Sequence, residues 1–141
     1  MADVPFFGSV SCPLDRLAFH HAAASWHIVL GWGIQGGRVA SCDAKGVVRL
    51  WDVRKMAELH TTPLAPAGKA ANCCRFDASG KVLAVSSDAG KVACLDLTTM
   101  EVLKELAGHT GAVHGAVFGP QSNSLLSVGS DGTLRMWGEH A

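Results

Sequence analysis

Three markers recur along this chain at one interval, and that interval constrains the fold more than any single residue does. Trp51, Leu95 and Trp137 stand 44 and 42 residues apart. Gly46, Gly90 and Gly132 keep the same intervals, each five residues before its anchor. Trp32, Phe76 and Phe118 keep them too, each nine residues before Ser41, Val85 and Ser127 respectively. Between the markers lie short apolar runs bounded by turn residues, and no segment has a helical period. Such a chain reads as a set of repeats, each a few antiparallel strands.

The units span about residues 24–60, 65–106 and 107–141, and residues 1–23 match none of them. Strands are expected near WHIVLGW, RVASC, VVRLWD and MAELHT in the first unit. In the second they are expected near NCCRF, KVLAVS, VACLDL and VLKEL, and the third supplies three strands before the chain stops. Residues 108–137, GHTGAVHGAVFGPQSNSLLSVGSDGTLRMW, are the most regular stretch. Its runs end at Val117-Phe118, at the Ser-Asp-Gly of 130–132 and at Trp137.

A Gly-His start, a turn Asp and a Trp near the end, in a unit of about 40–45 residues, resemble a WD repeat, one blade of a β-propeller. The resemblance implies an all-β fold of about three blades, and a hydrogen-bond relay within the last one. In that relay Trp137 donates to Ser127, Ser127 to His109, and His109 to Asp131. Burial is tolerable because every polar group is satisfied. The first unit keeps Ser41 and Trp51 as a partial relay but has Lys45 at the Asp position, with Asp43 two residues earlier. The second has Val85, Ala89 and Leu95 at the three positions, so apolar packing must hold it together. Closed propellers have four to eight blades, so three should form an open partial propeller with unpaired faces at both ends. The last strand is then an edge that could pair with another chain, giving possible self-association.

Within the WD-repeat proteins, residues 38–137 are similar to the C-terminal repeats of a family of the axonemal central apparatus, a sperm-associated antigen in animals. The stretches that carry this are VASCDAKGVVRLWD (39–52), ANCCRFDASGKVLAVSSDAGKV (71–92) and ELAGHTGAVHGAVFGPQSNSLLSVGSDGTLRMW (105–137). The similarity implies a non-enzymatic scaffold for other proteins, in assembly or stability of the ciliary and flagellar axoneme, and hence in motility. Its expected place is the cytoplasm, within the cytoskeleton of the cilium. The alternative is another WD-repeat adaptor, such as a ubiquitin-ligase substrate receptor.

Residue spacing also bears on other chemistries. Ser127, His109 and Asp131 could suggest a catalytic triad, but the chain has no G-x-S-x-G elbow, and a Trp bonded to the Ser would occupy its oxygen. Residues 31–36, GWGIQG, fit G-x-G-x-x-G and make a dinucleotide-binding enzyme a remote alternative. That mechanism needs a helix N-terminus after the glycines, whereas RVASC is strand chemistry, so no cofactor is expected. Charge is balanced at 12 basic and 12 acidic residues, which favours neither nucleic acid nor an anionic membrane as partner. The five cysteines lack C-x-x-C spacing, so neither a disulfide framework nor a zinc site is indicated and a reducing compartment is expected. The apolar run within 22–34 is too short to span a bilayer, and MADVPFF lacks the basic start of a secretory signal.

Overall fold

The computed structural model describes residues 29–32, 37–64 and 69–138. Residues 1–23 and Gly33–Gly36 of the glycine motif lie outside the described residues. The first sheet carries β1 (Val29–Trp32), β2 (Arg38–Cys42), β3 (Val47–Asp52) and β4 (Ala57–Pro63), in that spatial order. The second carries β5 (Ala71–Phe76), β6 (Val82–Ser87), β7 (Lys91–Asp96) and β8 (Val102–Ala107). The third has β9 (Val113–Phe118), β10 (Ser124–Gly129) and β11 (Leu134–Gly138). All neighbouring strands are antiparallel, and the three sheets do not close into a ring.

The interval seen in sequence is an interval of register. Val39 faces Trp51, Leu83 faces Leu95, and Leu125 faces Trp137. Two pairs further along, Ser41 faces Arg49, Val85 faces Ala93, and Ser127 faces Arg135. Gly46, Gly90 and Gly132 all sit at φ near +77°, where a glycine avoids the cost that a Cβ would bring. The turns from third to fourth strand also match. Asp52 Oδ1 accepts from the N–H groups of Arg54 and Lys55, and Asp96 Oδ1 from those of Thr98 and Thr99. Each turn then passes through a methionine in the left-handed region, Met56 at φ 51° and Met100 at φ 59°.

Side chains alternate across each strand, so every blade has two faces. One face of the first blade, with Ala40, Cys42, Val48 and Leu50, packs on Ala71, Cys74, Leu83, Val85 and Leu95 of the second. The opposite face of the second, with Ala84, Val92 and Leu106, packs on Val113, Ala116 and Leu125 of the third. Leu50, Leu83 and Leu95 are at most 2% exposed. Each such side chain contributes about 1.5–3 kcal/mol by leaving water.

Polar bonds fasten the same joints. The Ala71 N–H donates to the Asp43 carbonyl at 3.0 Å, and Arg38 reaches the Gly80 carbonyl at 3.0 Å. Between the second and third blades, the Asn72 side-chain amide donates to the Val113 carbonyl at 2.9 Å and to Asp88 Oδ1 at 2.8 Å. The Ala78 N–H donates to Ser122 Oγ at 3.0 Å.

Candidate functional site

Four strand-borne or turn-borne residues meet inside the third sheet. Ser127 lies mid-β10 and is 1% exposed, which places its hydroxyl between β9 and β11. Trp137 Nε1 donates to Ser127 Oγ at 2.9 Å. His109 Nε2 stands 2.8 Å from the same oxygen, and its Nδ1 stands 3.0 Å from Asp131 Oδ2. With the His109 proton on Nδ1, the chain runs Trp137 to Ser127 to His109 to Asp131 with a donor and an acceptor at each joint.

Asp131 has more partners than spacing indicated. Thr133 donates to Oδ1 through its hydroxyl at 2.8 Å and its N–H at 3.0 Å, and the Thr110 N–H donates to Oδ2 at 3.0 Å. The Thr133 hydroxyl bond comes first among the causes that hold the Asp131 carboxyl far below the usual carboxylate range. Burial opposes it, and the Thr110, Thr133 and His109 bonds add to it. Room for this packing comes from Gly129, where a Cβ would lie 2.6 Å from His109 Nδ1 and 3.0 Å from Asp131 Oδ1.

In the first blade Trp51 Nε1 donates to Ser41 Oγ at 3.0 Å. Asp43 takes over the turn: its Oδ1 accepts from the N–H groups of Lys45 and Val47, and its Oδ2 accepts from Arg49 at 3.0 Å. Arg49 also lies 3.8 Å from Glu58 on β4. In the third blade the matching Arg135 has no fourth strand beside it among the described residues, and its Nε is buried without a hydrogen-bond partner. The second blade has neither device. Val85 and Ala89 instead border a hollow of about 270 Å³, together with Leu64, Ser87, Lys91, Ala93 and Glu105.

A further acceptor, Asp77, organises the β5–β6 turn. Burial would raise its carboxyl, but donation from Ser79 Oγ and from the N–H groups of Val82, Lys81 and Ser79 outweighs this and lowers it. Burial pushes the Cys94 thiol up, opposed by Lys104 on the neighbouring strand, which makes it a poor thiolate. Among the described residues, no group of three or more His, Cys, Asp or Glu is placed to hold a metal ion. After the glycine motif the next described element is the strand Arg38–Cys42, not the helix that a pyrophosphate site requires. Asn72, Asp77 and Thr133 do not stand out in the sequence, and Asp43 does so only as an aspartate displaced from the relay position. The D-x-x-G spacing of Asp43 to Gly46 and Asp77 to Gly80 was the available signal.

The family model for WD domain, G-beta repeat, matches residues 100–138. This segment begins just before β8 and runs through β11, so one sequence repeat joins the outer strand of one blade to the next blade. WD repeat-containing protein 91 of Gallus gallus is 27% identical over 142 residues, covering 98% of this chain and 19% of that protein. WD repeat, SAM and U-box domain-containing protein 1 of Danio rerio is 34% identical over 104 residues, covering 72% of this chain and 21% of that protein. WD repeat-containing protein 36 of Homo sapiens is 22% identical over 94 residues, covering 67% of this chain and 10% of that protein. The chain thus spans about a fifth of the length of the first two relatives. WD40 repeats generally serve as protein-interaction scaffolds and are typically non-enzymatic. With one matched repeat and two preceding sheets in the same register, this is a WD40-repeat chain of about three blades.

Proposed function

We propose that this chain is a non-enzymatic scaffold whose blades hold loops for binding other proteins, and that it serves the assembly or stability of the axonemal central apparatus in cilia and flagella. One observation carries the scaffold reading. Ser127 is 1% exposed and its oxygen accepts from Trp137 Nε1 at 2.9 Å, so although His109 Nε2 stands 2.8 Å away as a base would, the hydroxyl has no open approach for a substrate. The relay then acts as a clamp on strand register, and function falls to loops and edges presented by a stiff support.

The ciliary half of the proposal is supported by the sequence similarity of residues 39–52, 71–92 and 105–137 alone; the names of the relatives above do not mention the axoneme. A second reading, a WD-repeat adaptor such as a ubiquitin-ligase substrate receptor, is favoured by one observation. A relative's name joins a WD repeat to SAM and U-box domains, so blades of this kind can share a chain with other modules. Tagging the protein in ciliated cells separates the two. Axonemal localisation with co-purified central-apparatus proteins is expected, whereas a diffuse signal with ubiquitin-ligase subunits in the eluate would favour the adaptor.

A further inference from the structure

The hollow beside Val85 is the space of side chains that the second blade lacks. In the first blade Arg49 lies on the sheet face next to Ser41 and reaches Asp43 Oδ2 at 3.0 Å. Register puts Ala93 at the position of Arg49 and of Arg135. Ser87 stands at that of Asp43, two residues after Val85, and Ala89 at that of Asp131. Val85, Ala93 and Glu105 form one row across β6, β7 and β8, and Leu64, just after β4, borders the hollow from the first blade. The volume of about 270 Å³ suits one large side chain, since an apolar cavity of about 150 Å³ already holds benzene. Hydrogen bonds fix its walls. The Leu64 N–H donates to the Gly46 carbonyl at 2.9 Å, the Asp88 N–H to the Ala70 carbonyl at 2.9 Å, and Asn72 to Asp88 Oδ1 at 2.8 Å. At Gly90 a Cβ would stand 2.8 Å from the His109 carbonyl oxygen, so the 87–90 turn rests directly against the loop that opens the third blade.

Chemistry selects the occupant. Among the described residues, Leu64, Val85, Ala89 and Ala93 make the interior apolar. The Ser87 hydroxyl is spent on the Lys91 carbonyl at 3.3 Å, and no carboxylate replaces Asp43. A cationic side chain would enter without an acceptor inside, a cost that an apolar one avoids. At the mouth Lys91 Nζ stands 3.1 Å from Glu105 Oε2, with both side chains nearly half exposed. So exposed a pair holds weakly, which leaves a donor and an acceptor side by side for the carbonyl and N–H of a peptide main chain. The hollow is smaller than a usual small-molecule site of about 300–1,000 Å³, and a side chain borne on a longer segment suits it better. We propose that it receives one large apolar side chain, Leu, Met or Phe, from a linear segment of a partner protein whose main chain bonds Lys91 and Glu105. Such binding rests on the scaffold reading and gives it a place and a chemistry.

A random heptapeptide library displayed on phage and selected on the purified full chain is the test. The selected peptides should share one Leu, Met or Phe. Replacing that residue by Ala should weaken binding by about 10- to 100-fold, the value of burying one such side chain. Ser87→Asp with Ala93→Arg, which rebuilds the first blade's pair inside the hollow, should abolish binding. Lys91→Ala with Glu105→Ala, two surface changes that spare the core, should weaken it by about 10-fold. Lys104→Ala, on the opposite face of β8, should leave it unchanged. Near-ultraviolet circular dichroism follows the folding of each variant. No enrichment, peptides that share Arg or Lys instead of an apolar residue, or undiminished binding to either folded double variant overturns the proposal. Such a failure, with partners still co-purifying from ciliated cells, would strike this site and leave the scaffold reading standing.

Discussion

The second and third blades share a register but hold it by different means. In the third, Ser127 ties the outer Trp137 to His109, and Asp131 gathers the turn through Thr133 and Thr110. In the second, Val85 and Leu95 stand at the Ser127 and Trp137 positions, and with Leu83 beside them all three are at most 2% exposed, with no polar link among them. The difference follows from position. The second blade contributes to both apolar clusters, so neighbours press on each of its faces and a one-residue slip would expose a whole row. The third is packed on one face only, so packing specifies its register less firmly. A relay inside the sheet supplies what the missing neighbour does not.

Four substitutions and one titration would break or sharpen this contrast. Leu83→Ala should be the most damaging, at about 2–5 kcal/mol, since it opens a cavity in the joint on which the second blade depends. Urea denaturation measures it, and a loss below that of Ser127→Ala would mean that packing is not what holds this blade. Ser127→Ala should cost about 1–3 kcal/mol, because the Trp137 indole and the His109 ring both lose their partner inside the sheet. The same change in the first blade, Ser41→Ala, should cost about 1 kcal/mol, since only the Trp51 bond goes and Asp43 still holds the turn.

The titration concerns Asp131 and Asp77, whose carboxyls are lowered in the folded chain. The unfolded chain therefore takes up protons first as pH falls. Their stabilisation is complete well above the ordinary carboxylate range, near pH 4, and is lost progressively below it. Thermal melts from pH 7 to 3 should show this fall, with a shallower slope in Asp131→Asn, which keeps the acceptor but not the charge. The smallest effect belongs to Ala89→Ser, at the position where the second blade lacks its Asp. It should stay within about 0.5 kcal/mol, and a larger gain would mean that one hydroxyl begins to rebuild a relay in the hollow beside Val85.

Much of the fold was legible because strand register repeats with the sequence. Trp51, Leu95 and Trp137 are spaced alike because each closes the same pairing, with Val39, Leu83 and Leu125. The four relay residues could be picked out because each polar type has one place in the unit, and the structure brings all four together. The links between blades were not legible. Asn72 reaches the Val113 carbonyl, 41 residues away, and a backbone acceptor leaves no trace in side-chain pattern. Arg49 was missed as the partner of Asp43 because it comes from the facing strand, and Thr133 because a β-branched residue there reads equally as strand.

Met56 and Met100 carry the repeat into the turns. A side chain in the left-handed region costs on the order of 1 kcal/mol, and glycine or asparagine would relieve it. Two unrelated turns would not be expected to settle on the same residue in the same awkward conformation, 44 positions apart, each four residues after an aspartate that ties down the turn. The pair marks a turn conformation that recurs with the repeat, one left-handed residue four positions after the aspartate. It also marks a repair that could be written once and applied twice.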